Sequence, residues 1–448
     1  MTNPMEPASY APSPGTGGAH PIAVAVPVAA DPAYVPPRNL LEVLGPGLIT
    51  GAADDDPSGI ATYSQVGAQF GYSLGWVMLF SYPLMAVIQQ VSAEIGSVTG
   101  AGIARNLRRH YPRWLLRCVV GTLLVANIAN LGADVGAMGQ ALVLLTGGPV
   151  AAFTVAFGVL CVVLEVFLSY RRYAEVLKWL TVSLFAYVAV VFAVHVPWQQ
   201  ALHDTLLPRL SLNVNEAEAL VAVLGTTISP YLFFWQAAEE VEEQSRRTVK
   251  PLYVAPAEAG PELRRIRTDT WVGMGLSNLI SLFIIFAAAA TLHVQGITDI
   301  QTSAQAALAL RPIAGPLTFV IFAAGIIGTG LLAVPVLAGS AAYAVSEAFD
   351  WVEGLDRKPR DARAFYATIA IATLTGVVLN FTGIDPFKAL YWSAVLNGLL
   401  AAPLMATMML IASNPRIMGR LVLSRMMRVM GWLATVVMAA ASVGFLVL

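Results

Sequence analysis

The chain has 448 residues, 57% of them hydrophobic and only 12% charged, against roughly a quarter charged in soluble domains. With a mean hydropathy of +0.68, a soluble globular protein is excluded and several membrane spans are required. A net charge of −1 leaves no electrostatic footprint for nucleic acid.

Residues 1–38 are rich in Pro, Ala and Gly and carry no Lys or Arg before Arg38. They lack the early positive charge and apolar core of a signal peptide, so a disordered cytoplasmic tail is expected. From residue 39 onward, a template of about 20 apolar residues per span predicts eleven helices. Their extents are 40–66, 74–99, 116–146, 150–169, 174–196, 217–236, 270–294, 314–346, 364–383, 387–412 and 422–447. Short cytoplasmic loops collect Lys and Arg. With the N-terminus inside, 23 of the 26 basic residues fall in the tail or in cytoplasmic loops, leaving only Arg209, Arg311 and Lys388 outside. One missed helix would scatter them across both sides.

The first span contains Asp54-Asp55-Asp56-Pro57-Ser58-Gly59. Pro57 has no amide hydrogen and Ser58-Gly59 offers little packing, so the helix should break here. Such a break is tolerated in a membrane only where the freed backbone is buried or lines a cavity. Carboxylates beside unwound carbonyls are a cation site in outline. Asp56 is the expected ligand, with Asp55 on the approach. The third span carries Asn127, Asn130 and Asp134 on nearly one face. By themselves they read as a hydrogen-bonding cluster between packed helices. Cys118 and Cys161 fall in different spans and are expected to pack as small apolar residues rather than pair. Glu165, late in the fourth span, is expected to reach the cytoplasmic interface.

The sixth span holds a second interruption, Gly225-Thr226-Thr227-Ile228-Ser229-Pro230-Tyr231. Broken helices five apart point to an inverted repeat with the substrate between its halves. The acidic run Glu239–Glu243 reads as a solvated helix end, and 239–269 as a flexible linker between the halves. None of the five histidines lies at a break, so no histidine-built transition-metal site is expected. No nucleotide-binding loop is present, which argues against ATP as the energy source.

Gly45-Pro46-Gly47, Asp56-Pro57-Ser58-Gly59 and Ala61-Thr62 resemble the first helix of the NRAMP family of divalent-metal transporters. The second interruption is similar to that family's sixth-helix motif. Ile88-Gln89 with Ser92-Ala93, and Asn397 with Pro403 in the tenth span, also fit. The resemblance implies an all-α membrane protein of LeuT-like fold, with two inverted five-helix repeats plus an eleventh helix. The tail would occupy 1–38 and the transporter domain 39–448. Within that domain the repeats would run from 40 to 196 and from 217 to 412, with the extra helix at 422–447. The family's first motif reads Asp-Pro-Gly-Asn, whereas here the Asn ligand is Gly59. Its sixth-helix motif reads Ala-x-x-Met-Pro-His, whereas here those positions are Thr226, Ser229 and Tyr231. Asp134 stands where the family has a glutamate on its proton route, and Leu131 replaces an upstream aspartate.

The implied metal set is Asp56, Gly59, Thr226, Ser229 and Asn397, with Asp55, Tyr231 and Asp134 on an ion or proton pathway. Its remaining ligands are oxygens, which suit Mg²⁺, Ca²⁺ and Mn²⁺ where a thioether would favour softer metals. The pattern resembles the NRAMP-related magnesium transporter branch: Mg²⁺ carried with weak or absent proton coupling, Mn²⁺ possible, and no cofactor beyond the transported ion. Two alternatives are a proton-coupled Mn²⁺/Fe²⁺ transporter and an organic-substrate carrier of the same fold. Three aspartates at the first break argue against an anionic organic substrate. A membrane enzyme would need a histidine metal cluster or a nucleophile–base pair, and neither is visible.

Overall fold

The computed structural model describes residues 45–167, 181–209 and 213–448, and every regular element among them is helical. The N-terminal tail and the basic residues Arg171, Arg172 and Lys178 lie outside the described residues.

The first span is two helices, α1 (Pro46–Asp54) and α2 (Pro57–Phe70). A proline opens each, at a position where the missing amide hydrogen costs nothing. Then come α3 (Gly75–Thr99), a short α4 (Ile103–His110), α5 (Arg113–Thr146) and α6 (Val150–Phe167). The described part of the fifth span ends in α7 (Phe185–Ala193), where the chain turns through 119° into α8 (Trp198–Leu206). The sixth span is again divided, into α9 (Val214–Thr227) and α10 (Pro230–Arg246). The remaining spans are α11 (Ala259–Ala288), α12 (Thr318–Phe349), α13 (Arg363–Leu379), α14 (Pro386–Ala412) and α15 (Arg425–Val447). Among the described residues nine helical stretches are long and apolar enough to cross a membrane. Counting the bent pair from Val182 to Leu206 as one span gives ten, and the broken first span is a further apolar stretch in two halves.

Cross-links between loops set the direction of each helix. Arg105 pairs with Glu353 at 2.7 Å, Arg108 with Asp350 at 2.8 Å, and Arg246 with Asp356. The loops after α3, α10 and α12 therefore share one end, the arginine-rich end. At the other end Ser303 donates to Gln140 at 2.7 Å, and Gln140 to Asp385 at 3.3 Å. The first span starts from the arginine-rich end and the sixth from the opposite one.

Two close approaches fix the broken helices. A Cβ on Gly47 would sit 2.7 Å from the Thr270 amide, and one on Gly51 2.3 Å from the Gly273 carbonyl, so α1 presses its backbone against α11. A Cβ on Gly225 would lie 2.1 Å from the Ala394 carbonyl, so α9 sits equally close to α14. Asp269 of α11 accepts from the amides of Gly45, Gly47 and Leu48 at 2.9, 2.7 and 3.0 Å. A carboxylate thus faces the positive end of α1.

Three expectations change. The linker shrinks to residues 247–258, and its Leu252 and Tyr253 amides donate to the Ser97 and Val98 carbonyls at 3.1 Å. It is strapped to α3, because α10 and α11 continue past the apolar stretch that hydropathy detects. The acidic run is a packed network: Glu239 and Glu240 are buried, and Arg246 contacts Glu242 at 3.0 Å and Glu243 at 3.6 Å. Arg265 reaches Glu240 at 2.6 Å and Glu262 at 2.7 Å. Glu165 does not reach an interface either. It is buried, its carboxylate has no hydrogen-bond partner, and it lies within electrostatic reach of Cys161.

Candidate cation site at the two helix breaks

Asp56 is the cap of α2. Its Oδ1 accepts from the Gly59 amide at 2.7 Å and the Ser58 hydroxyl at 2.6 Å, which satisfies donors that a helix start leaves open. Its Oδ2 accepts from Asn130 Nδ2 at 3.0 Å and from the Tyr231 hydroxyl at 3.2 Å. The Tyr231 hydroxyl also lies 3.1 Å from the Ala53 carbonyl, so α10 reaches across to both sides of the first break. Asn130 is held in turn, its Oδ1 accepting from Ser393 of α14 at 2.7 Å. Asp56 is 1% exposed and forms no ion pair among the described residues. A buried carboxylate with no cationic partner is costly by several kcal/mol.

The two breaks touch. A Cβ on Gly59 would lie 3.3 Å from Thr226 Oγ1, which is buried and has no hydrogen-bond partner. Asp134 is fully buried within electrostatic reach of Asp56; neither of its oxygens makes a well-formed hydrogen bond, and the Ser58 amide is a nearby donor. Ser229 lies in the second break, but its hydroxyl turns back onto its own helix, 3.0 Å from the Gly225 carbonyl and 2.8 Å from that of Thr226. Asn397 is buried one helical turn beyond Ser393, and its Nδ2 has no partner.

The structure thus brings Asp56, Gly59, Thr226, Tyr231 and Asp134 together, with Ser229 and Asn397 on the two adjoining helices. Asp55 leaves this group and turns to α11, where it meets Ser277 and Ser281. Asn127 separates from Asn130 and donates to the Leu337 carbonyl at 3.0 Å. Sequence reasoning missed the Asn130–Ser393 support. Polar residues at mid-span were a signal, but their partner helix was not. Among the described residues no three His, Cys, Asp or Glu side chains converge as a metal cluster. An ion here would meet one or two carboxylates and several neutral oxygens, the donor set of hard cations that keep part of their water.

Residues 47–448 match the family described as natural resistance-associated macrophage protein-like, Nramp. The chain is similar to the divalent metal cation transporter MntH of Deinococcus radiodurans, at 28% identity over 420 residues, 90% of this chain and 89% of that one. The protein of the same description from Klebsiella pneumoniae subsp. pneumoniae is 29% identical over 403 residues, 88% and 90% of the two chains. Among solved structures, a manganese transporter of Eremococcus coleocola in complex with an aromatic bis-isothiourea compound superposes with a TM-score of 0.71. That likeness has 19% identity and covers 91% of this chain and 87% of the other. Mhp1, a nucleobase-cation-symport-1 family transporter, superposes with a TM-score of 0.54 at 16% identity, over 89% and 92%. These likenesses establish a LeuT-like fold, two inverted five-helix repeats followed by an eleventh helix. The chain is a multi-pass membrane protein and belongs to the Nramp family.

Proposed function

We propose that the protein is a secondary transporter, not an enzyme, which carries a hard divalent cation across the cell membrane by alternating access. The cation is Mg²⁺, with Mn²⁺ as a competing substrate, and proton coupling is weak or absent, as in the magnesium-transporting branch. The observation that carries this reading is the buried, unpaired Asp56 carboxylate where the two broken helices meet. Asp56 supplies the charge. Asn130 and Tyr231 orient it, and Thr226, Ser229, Asn397 and the unwound carbonyls supply neutral oxygens. Gly59 leaves room for hydration water that the family's Asn would fill. The transporter domain is residues 39–448, with repeats at 40–196 and 217–412, and the arginine-rich end and N-terminus are cytoplasmic by the positive-inside rule.

The printed names of a divalent metal cation transporter and a manganese transporter favour a second reading, Mn²⁺ transport, to which proton coupling through Asp134 would belong. Uptake into liposomes of Mg²⁺, Mn²⁺ and Cd²⁺, by wild type and Asp56→Ala, decides the matter. Mg²⁺ and Mn²⁺ uptake should be lost in Asp56→Ala, with the variant still monodisperse in detergent. Wild-type uptake by a well-folded Asp56→Ala variant removes this site from transport.

A further inference from the structure

The carboxylates of Asp54 and Asp55 turn away from the site around Asp56, while the Asp54 carbonyl stays beside it, 3.4 Å from a Cβ built on Gly59. Both are buried, at 1% and 3% exposure, and both turn to α11. The Ser277 hydroxyl lies 2.7 Å from Asp54 Oδ2 and 3.1 Å from Asp55 Oδ1. The Ser281 hydroxyl lies 3.4 Å from Asp55 Oδ1 and 3.0 Å from the Ser277 carbonyl. These are four oxygen–oxygen contacts, and the two serine hydroxyls own one proton each. The two serine protons therefore cover only two of the four contacts, and the rest fall to a cation or to a proton on a carboxyl. Asp54 Oδ1 has no partner at all. The Tyr63 hydroxyl, on fully buried Tyr63, points into the same group beside Ser281 and in the field of both carboxylates, again without a well-formed hydrogen bond. No Lys, Arg or His forms an ion pair with either aspartate among the described residues. Asp55 and Ser277 also border a largely apolar cleft of about 260 Å³ between α1, α7 and α11, lined by Leu48, Leu184, Phe185, Leu276 and Ile280.

We infer that Asp54, Asp55, Ser277, Ser281 and Tyr63 form a second cation site, for a hard divalent ion held by oxygen alone, on the α11 side of the first helix break. Two carboxylates, two serine hydroxyls and a phenol are a donor set suited to a partly hydrated Mg²⁺ or Mn²⁺. An ion there neutralises two buried carboxylates that no Lys, Arg or His meets among the described residues. It also ties the unwound part of the first span to α11. The inference goes beyond the transport reading, since it concerns different carboxylates and a different helix.

The test is a binding stoichiometry on the purified full-length protein, by equilibrium dialysis with Mn²⁺ as the probe. Wild type should bind two Mn²⁺ per chain, both displaced by excess Mg²⁺ and neither by excess Na⁺. Asp54→Asn/Asp55→Asn keeps volume and acceptor oxygens and should bind one, as should Asp56→Asn. Ser277→Ala should weaken one of the two sites about tenfold or more. One ion in wild type overturns the inference without reference to any variant. So does a double Asn variant that still binds two, or displacement of one ion by Na⁺ alone. If Asp56→Asn keeps two ions and the double variant keeps one, the second site stands and Asp56 is lost as the transport ligand.

Discussion

At the scale of single residues, selectivity turns on Ser229. The Ser229 hydroxyl spends its proton on carbonyls of its own helix, which leaves its oxygen lone pairs available beside the Thr226 carbonyl. A hard cation accepts such a ligand, whereas Cd²⁺ prefers sulfur. Ser229→Met should raise Cd²⁺ competition against Mg²⁺ uptake by about an order of magnitude and lower Mg²⁺ transport, in line with the ligand preference. Gly59→Asn should deepen the change, because a side chain there must fit against Thr226 Oγ1, 3.3 Å from the new Cβ. Equal transport of Cd²⁺ and Mg²⁺ by wild type would sink the hard-cation reading.

At the scale of elements, the first span is clamped from α11. Asp269 gathers three amides at the start of α1, Arg265 stands 3.9 Å away, and Glu240 and Glu262 hold Arg265. The chain of contacts joins α1, α10 and α11 at the arginine-rich end, so the two broken spans share one anchor there. Asp269→Ala leaves the buried Gly47 amide without its acceptor, a loss of about 1–3 kcal/mol. The thermal midpoint in detergent should fall by several degrees, and Mg²⁺ uptake should fall with it. An unchanged midpoint would show that the cap contributes nothing. The glycine contacts that seat α1 on α11 and α9 on α14 permit backbone approach without side-chain interlocking, so each half-helix needs such a polar anchor to hold its angle.

At the scale of the whole molecule, the energy source is the open quantity that the fold constrains. By the family resemblance, Tyr231 stands where a histidine is linked to proton movement and Leu131 where an aspartate lies on the proton route. Tyrosine has a reference pKa near 10 and is a poor proton carrier at neutral pH. Mg²⁺ uptake into liposomes carrying a pH dye should proceed with little or no internal acidification, and an imposed inward proton gradient should change its rate less than twofold, since the phenol that stands in place of the imidazole keeps its proton at neutral pH. Acidification that tracks uptake ion for ion would contradict this and would point to Asp134, buried beside Asp56.

Much of this was legible in the amino-acid sequence because it depends on local chemistry. Apolar length placed the spans, prolines placed both breaks, and the basic residues grouped the loops, two of which meet through the Arg105–Glu353 and Arg108–Asp350 pairs. Asp56 stood out because a carboxylate at mid-membrane depth is costly unless it meets a cation or a partner. What the sequence could not determine was rotation about each helix and reach between helices. Three consecutive aspartates read as one acidic cluster, yet Asp56 turns to Asn130 and Tyr231 while Asp54 and Asp55 turn to Ser277, over 200 residues away in the chain. A helix break erases the regular 100° step that would have predicted those directions. The acidic run and Glu165 misled for the same reason. Charge in a sequence implies water, and only the packing of α10 against Arg265 of α11, and of α6 against its neighbours, buried those carboxylates.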